Sequence, residues 1–553
     1  MISGLPKRSD PGSVLNWKGC LPQKSFVSSW LRPKGPPTLQ VTNLSKLRRL
    51  CTEHGTRVGW WPSGRIMDAT VQRKLTWFLR IFLFLSVFFI FFLSPGDNDL
   101  GWHLRYGDYF LEHGRPLMKN TLSVLMAGYR WPNSYILYQP LVAFVYRNFS
   151  FWGLSALNAL LFVFSFGAVF LYFRKRVLPT LAVLVVTTLG GWIVFQYGLR
   201  AQMMSFFFLA LLVYVLKYIK SRGRRVLTLL ALFALWGNFH SGFPLGIFLV
   251  GLWQLSELVR DLLAGRSFRE LTWATPLLCV AAAVAAPLLN PYGIGNYLNV
   301  LQHFKTPMAT IIAEWLPPNG SHKFALAALF GIYLYGVFAS RRWREHLFWL
   351  PASAALLYLA LTSRRNLPFF FLVQSMSLVE LIPRRNRVSE VGSRRWSSLL
   401  AVPLLWVVLF YGLAFQLPQA VRRNTNWDDY CREGVTELPR AAVAFAQETG
   451  LRGAVFSMYK WGGFLIWQLP ENKVFVDGRM PAWPHPLGIS PYTVYLDIIQ
   501  AGDGYQATLD SYGISWLLIG SGSFLDLELQ DGDGGLWREV HRDPLAVIYT
   551  MIE

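Results

Sequence analysis

An α-helical polytopic membrane protein carrying a small C-terminal α/β domain is the fold class predicted by three observations. Apolar residues make up 53% of the 553 residues and aromatic residues 16%. The apolar residues fall in repeated blocks separated by basic clusters, and beyond residue 417 the pattern becomes a mixture of apolar and polar positions. A bilayer core of about 30 Å needs roughly 20 helical residues, fewer where neighbouring helices shield a span.

Residues 1–66 are rich in Pro, Gly and Ser and hold eleven Lys/Arg against two Asp/Glu, with no sustained helix or strand period. They read as a disordered basic segment: either a flexible cytoplasmic arm or an over-extended gene start ahead of Met67. Residues 67–417 read as the transmembrane domain. About eleven helices are expected, over 75–94, 150–173, 177–197, 203–219, 226–238, 242–256, 271–289, 323–340, 347–362, 368–382 and 397–416. The short pair 226–238 and 242–256 is broken by Asn238, Ser241 and Pro244 and reads as one kinked span or two. Lys and Arg concentrate in cytoplasmic loops because positive segments resist translocation. The clusters at 73–74, 174–176, 220–225, 260–269, 341–344 and 384–395 share one side only if that pair is two helices. On that count the N-terminus is cytoplasmic. Asp97, Asp99, the 238–242 tip and loops 198–203, 290–322 and 362–366 then share the outer face with everything after 417.

Residues 418–553 read as a soluble extracytoplasmic α/β domain. Ala454–Met458, Val474–Asp477, Trp516–Ile519 and Ala546–Thr550 look like strands, and Val435–Gly450 and Pro491–Ala501 look helical. Gly462 and Gly463 suit a close backbone approach, and Asp477-Gly478-Arg479 reads as a strand-end turn with a local ion pair.

The net charge of +22 is carried largely by the N-terminal segment and the cytoplasmic loops, so it is no sign of nucleic-acid binding. No P-loop, dinucleotide glycine motif or zinc-finger spacing stands out. The four cysteines, at 20, 51, 279 and 431, are scattered, and no structural disulfide is expected.

After the first span the chain reads SPGDNDLGWHLRYGDYFLEHGRP, which sets Asp97, Asp99, Trp102, His103 and Arg105 at one membrane surface. Two carboxylates there suit chemistry on a lipid-linked substrate; the alternative is that they cap a helix beginning near Leu100. Tyr106–Glu112 with Leu117 and Leu122 read as short interfacial helices beside Trp131, Tyr135 and Tyr138, or as an ordinary aromatic belt.

These residues resemble the C-type superfamily of bacterial membrane glycosyltransferases (GT-C), the group of the protein O-mannosyltransferases and the aminoarabinose transferase of lipid A, and within it an uncharacterised branch. The shared features, over roughly 75–520, are Asp-x-Asp-x-x-Trp-His, Gly107 with His113-Gly114-Arg115-Pro116, Trp131, Asn238-x-His240, Asn290-Pro291-Tyr292-Gly293, Glu314-Trp315, Arg364, Trp461-Gly462-Gly463 and Asp477-Gly478-Arg479. The chain departs from the pattern at Asn120, where the branch usually has Asp, and at Asn98, where it has Pro.

The resemblance implies transfer of a sugar from a polyprenyl-phosphate carrier to an acceptor, whether glycan, lipid or protein, at the outer face of the bacterial cytoplasmic membrane. Asp97 or Asp99 is then the candidate base that takes the acceptor proton. Arg200, Arg364 and Arg365 lie outside against the positive-inside trend and suit the lipid phosphate, whose oxygens a guanidinium grips in pairs. His103, His240 and Glu314 are candidates to orient the acceptor or the sugar. Simpler roles stand beside each: a backbone-satisfying His240, a headgroup-anchoring Arg pair, an idle loop Glu314. No ligand cluster requires a metal, although a divalent cation bridged by Asp97 and Asp99 fits hard-cation preference. A transporter or flippase would place ionisable groups within its spans, where this chain has few besides Glu380, and a membrane scaffold would need no carboxylate pair.

Overall fold

The computed structural model describes residues 69–552 other than 383–389, 435, 485–487 and 532–535, so the reading of 1–66 lies outside the described residues. The first part of the chain is helical: α1 (Ala69–Ile90), α2 (Leu100–His113), α3 (Tyr138–Tyr172), α4 (Val177–Phe195), α5 (Ala201–Tyr218), α6 (Arg222–Phe239), α7 (Phe243–Leu263), α8 (Ala274–Ala285), α9 (Ile294–Lys305), α10 (Gly320–Ala339), α11 (Trp349–Thr362), α12 (Leu367–Leu381), α13 (Glu390–Tyr411) and α14 (Leu417–Thr425). A helix lies over each of the eleven expected spans. Fewer of them meet the length and composition of a crossing helix: among the described residues these are 138–172, 177–195, 201–218, 243–263, 313–339 and 401–425, with a seventh if the pair 274–289 and 294–305, bent by 96°, is one span. The others fall short for visible reasons. Helices α11 and α12 have 14 and 15 residues, α1 carries Arg73, Lys74 and Arg80, and α6 begins with Arg222, Arg224 and Arg225. Helix α12 is buried at every position from Leu367 to Ser377, so protein rather than lipid surrounds it.

Helix α3 breaks at Ser150, whose φ of 54° and ψ of −150° leave the helical region, at the residue where the expected span begins. The turns before it were missed because Gln139, Arg147 and Asn148 interrupt the apolar run. The pair around 240 forms two separate helices, α6 and α7, longer than expected and joined by His240–Gly242 in extended and turn geometry.

Charged side chains gather at the two ends of the helices. At one end Lys217 of α5 pairs with Glu380 of α12 at 2.5 Å and stands over the ring of Tyr172 at the end of α3, while Arg225 pairs with Glu257. Helix α5 has 18 residues, about 27 Å at 1.5 Å per residue. At its far end Arg200 meets Asp97 and Glu314.

The last part of the chain contains α15 (Trp427–Arg432), α16 (Arg440–Glu448), β1 (Ala454–Ser457), α17 (Gly462–Gln468), β2 (Lys473–Val474), α18 (Pro491–Ile499), α19 (Tyr505–Ser511), β3 (Ile514–Gly520), α20 (Phe524–Asp531), β4 (Trp537–Arg542) and β5 (Ala546–Met551). The strand order is β2-β1-β3-β5-β4, parallel from β2 to β3 and antiparallel beyond. Strand β4 escaped the sequence reading because Trp-Arg-Glu-Val-His-Arg is an edge strand with mostly polar side chains, the usual composition of a protected edge. Opposite β1, the far edge of β2 is completed by the segment after α2: the Val124 amide donates to the Val474 carbonyl at 2.9 Å, and the Val474 amide to Leu122 at 3.2 Å.

Helix α17 packs on α2 through glycine. A Cβ on Gly101 would run into the Gly463 carbonyl, and one on Gly463 into the Asn98 carbonyl. Gly101→Ala should therefore lower the thermal midpoint of the detergent-solubilised protein, the overpacking costing about 1–3 kcal/mol. Leu111→Ala, at an exposed site on the same helix, should leave the midpoint unchanged.

Candidate active site

The stretch from Ser94 to Asp99 leaves α1 without helix and lies on the turn between α4 and α5. The Gly96 amide donates to the Tyr197 carbonyl at 2.9 Å, and a side chain at Gly198, whose φ is +68°, would meet the Ser94 carbonyl. This contact carries Asp97 to Arg200, the extended residue just before α5. Arg200 Nε lies 3.3 Å from Asp97 Oδ1 and its Nη1 2.5 Å from Glu314 Oε1, with the guanidinium also over the Tyr197 ring at 4.8 Å. All three side chains are largely buried.

Glu314 occupies the single turn Ala313–Trp315, which is tied to the α11–α12 junction. Ser363 Oγ donates to the Glu314 carbonyl at 3.2 Å and the Arg364 amide to Leu316 at 3.0 Å. Arg364 Nε donates to the Pro317 carbonyl at 3.1 Å, so Arg364 helps hold this loop. Arg365 turns the other way. Its carbonyl accepts from Gln202 Nε2 at 2.7 Å, and its guanidinium sits 5.4 Å from the Trp315 ring centre. Among the described residues that guanidinium makes no ion pair or hydrogen bond.

Asp99 holds the N-cap position of α2, yet its side chain makes no capping bond. Its Oδ1 instead accepts from Trp102 Nε1 at 2.9 Å and lies against Gly478, where a Cβ would collide with it. Burial raises the Asp97 carboxyl above the ordinary carboxylate range, with Arg200 opposing. Burial, reinforced by the charge of Asp97, pushes Asp99 up to about 7. Glu314 stays below its ordinary value: burial favours its neutral form, but Arg200 and then Arg365 outweigh it. Among the described residues no three His, Cys, Asp or Glu side chains converge as a metal cage, and the charge shared by Asp97 and Glu314 is a guanidinium.

His240 ends α6 in extended geometry. Its Nδ1 accepts from the Gly242 amide at 3.0 Å and lies 2.7 Å from Ser205 Oγ, which accepts from Trp236 Nε1 at 2.7 Å. The amide contact assigns Nδ1 as acceptor, so the ring proton resides on Nε2. That atom is buried without a partner among the described residues. Burial, with Arg365 and Arg200 nearby, holds His240 neutral. His103 is packed between Tyr135 and Tyr138, ring centres 5.0 and 4.9 Å away, and burial likewise depresses its basicity.

The segment read as interfacial is two-sided: Asp108–Phe110 are half-buried, and Leu111 and Glu112 exposed. Helix α2 forms, but Leu100–Leu104, Tyr106 and Gly107 are buried, as are Trp131 and Tyr138. The cause is a buried cation that no periodicity reveals. Arg479 reaches Tyr106 Oη at 2.6 Å and Asn120 Oδ1 at 3.2 Å, and its guanidinium faces the rings of Tyr106, Trp131 and Trp483. Asp477 completes it through two contacts of 2.7 and 2.6 Å, neither side chain being exposed. The local Asp–Arg pair is thus present, and it also ties the strand-end turn to α2. Asn120 suits this place as an amide: its Nδ2 donates to Ser123 Oγ at 2.8 Å and to the Met126 carbonyl at 2.9 Å, which a carboxylate would not do. Cys279 and Cys431 are buried free thiols.

Asp97, Arg200, Glu314, Arg365 and His240 therefore come together, with Asp99 and His103 beside them and Arg364 turned to backbone. Sequence reasoning passed over Arg423, whose position after the last apolar helix broke the charge trend as Arg200 did.

No protein-family model and no curated protein sequence matches the chain. It aligns with several solved structures. The apo oligosaccharyltransferase of Archaeoglobus fulgidus aligns over 84% of this chain and 71% of its own, at 12% identity and a TM-score of 0.47. ArnT from Cupriavidus metallidurans, bound to undecaprenyl phosphate, aligns over 87% and 98%, at 13% identity and 0.48. The arabinofuranosyltransferase AftD from Mycobacteria aligns over 87% of this chain and 40% of its own, at 15% identity and 0.49.

Removing one partner of a buried ion pair strands the other charge, at a cost of about 3–5 kcal/mol. Arg479→Gln should accordingly abolish or sharply reduce folded protein by size-exclusion profile. Adding Asp477→Asn should restore part of it.

Proposed function

We propose that this protein transfers a sugar from a polyprenyl-phosphate-linked donor to an acceptor hydroxyl at the outer face of a bacterial cytoplasmic membrane. The observation that carries the reading is the meeting, at one end of the helices, of two buried carboxylates of raised proton affinity with an arginine, Arg365, which acts on Asp97 and Glu314 through space but makes no ion pair among the described residues. The alternation of basic clusters supports eleven spans, a cytoplasmic N-terminus and an outward-facing site and C-terminal domain.

The acceptor oxygen attacks the anomeric carbon as the carbon–oxygen bond to the phosphate breaks, and the acceptor proton passes to the Asp97/Asp99 pair. A general base works best with a pKa near the working pH, which suits the value of about 7 at Asp99. Arg365 neutralises the charge that develops on the departing lipid phosphate. Arg200, already engaged by Asp97 and Glu314, positions both carboxylates. The unpartnered His240 Nε2–H and the Glu314 oxygens hold sugar or acceptor hydroxyls.

The test is label transfer from a panel of radiolabelled polyprenyl-phosphate sugars by the full chain in lipid nanodiscs. Loss of general-base catalysis is typically about 10²–10⁴-fold, so Asp97→Asn or Asp99→Asn should lose at least about a hundredfold in kcat while still binding donor. Arg365→Gln should instead weaken donor binding. Because the base acts ionised, the rate should rise as pH passes through about 7. Any residual activity of Asp97→Asn should show that limb at lower pH, since the neighbouring negative charge is gone. No transfer and no donor binding with any member of the panel would end the reading.

A further inference from the structure

Arg423 is a buried cation that nothing in the mechanism uses. It lies on α14, is 6% exposed, and its Nε has no hydrogen-bond partner among the described residues. The neighbouring acid is shared: Glu433 Oε2 pairs with Arg422 at 3.2 Å and acts on Arg423 only through space, with no ion pair between them among the described residues. Among the described residues its guanidinium faces the Tyr430 ring, 5.7 Å away. Helix α14 is well held, with Asn424 Nδ2 donating to Ser155 Oγ of α3 at 2.9 Å, so Arg423 is presented from a fixed backbone. An arginine keeps its charge at any physiological pH, and a buried charge with unsatisfied donors calls for an anion or water.

The surroundings name the anion. Arg423 lines a cleft of about 380 Å³ together with Ser94, Gln196, Gln416 and Glu433. The cleft reaches the surface at Tyr411 and Gln419, both exposed. Beside it Phe410, Leu413 and Phe415 of the preceding helical turns are exposed apolar side chains. On its other side Arg423 borders a small hollow formed by Gly96, Asp97 and Asn98. A polar cleft with one unclaimed guanidinium, flanked by an apolar helix face, fits a phosphate headgroup whose hydrocarbon chain stays in the membrane.

We infer that Arg423 is a second lipid-phosphate site, distinct from Arg365, which seats the phosphate monoester of an isoprenoid lipid next to the Asp97 loop. The isoprenoid identity rests on the function proposed above; the anion site does not. Such a seat would hold the spent carrier as it leaves.

Native mass spectrometry of the full chain with farnesyl phosphate counts the sites. The wild-type chain should bind two molecules, Arg423→Gln and Arg365→Gln one each, and the double variant none. Arg423→Lys keeps the charge but loses the paired donors and should weaken its site about tenfold. Removing a buried cation without a partner should leave the thermal midpoint of Arg423→Gln unchanged or higher, whereas a structural arginine would lower it. If Arg423→Gln or, should that variant fail to fold, Arg423→Lys binds as the wild-type does, the inference is overturned and water satisfies the guanidinium. A wild-type chain that binds a single molecule, lost in Arg423→Gln but not in Arg365→Gln, would uphold this site while removing Arg365 from the proposed function. Saturation by inorganic phosphate at the same concentration as farnesyl phosphate would overturn the lipid assignment.

Discussion

Arg200 joins three stretches of chain that lie far apart in sequence. Its guanidinium stands between the carboxylates of Asp97 and Glu314, so the loop after α1, the turn before α5 and the loop before α10 share one cation. In a partly buried place the Coulomb term is large, and removal of Arg200 would leave two neighbouring carboxylates without their shared cation. The geometry of the candidate site follows from that constraint. Asp97 cannot turn toward solvent without releasing Arg200. Glu314 keeps its ionised form because Arg200, with Arg365 nearby, outweighs burial.

The second support comes from far along the chain. Asp99 would be an ordinary N-cap if its loop were free, but Gly478 lies against its carboxylate and α17 packs its glycine backbone on the first turn of α2. The turn that carries Gly478 is fixed by Arg479, buried among Asp477, Tyr106 and Asn120. The segment after α2 closes the arrangement by adding itself to the sheet beside Val474. The turn at Gly478 thus stands against Asp99, whose proton affinity burial raises. A site carried on loops gains its rigidity from such braces.

Much of this was legible from residue order. Apolar blocks of spanning length placed helices over every expected segment, and the basic clusters sorted the loops into two sets. In the structure Lys217 and Glu380 stand at one end of α5, and Arg200, Asp97 and Glu314 at the other. Glycines at 462 and 463 signalled the close approach that α17 makes. Residue order could not show a partner distant in sequence: Tyr106 and Trp131 have the amphipathic look of a membrane interface, and both face the buried guanidinium of Arg479.

The sequence by itself determined the membrane class, the helices, most of the sheet strands and the set of ionisable residues from which the site is drawn. Those follow from hydropathy and local period, which act over a few residues. Tertiary structure alone decided which charges are spent and which are left. Arg200, Arg364, Arg365 and Arg423 are alike as letters, yet one is shared by two carboxylates, one holds a backbone carbonyl, and two keep guanidiniums with no carboxylate partner among the described residues. Charge pairing and desolvation are set by distances between segments far apart in the chain, and no local pattern encodes them.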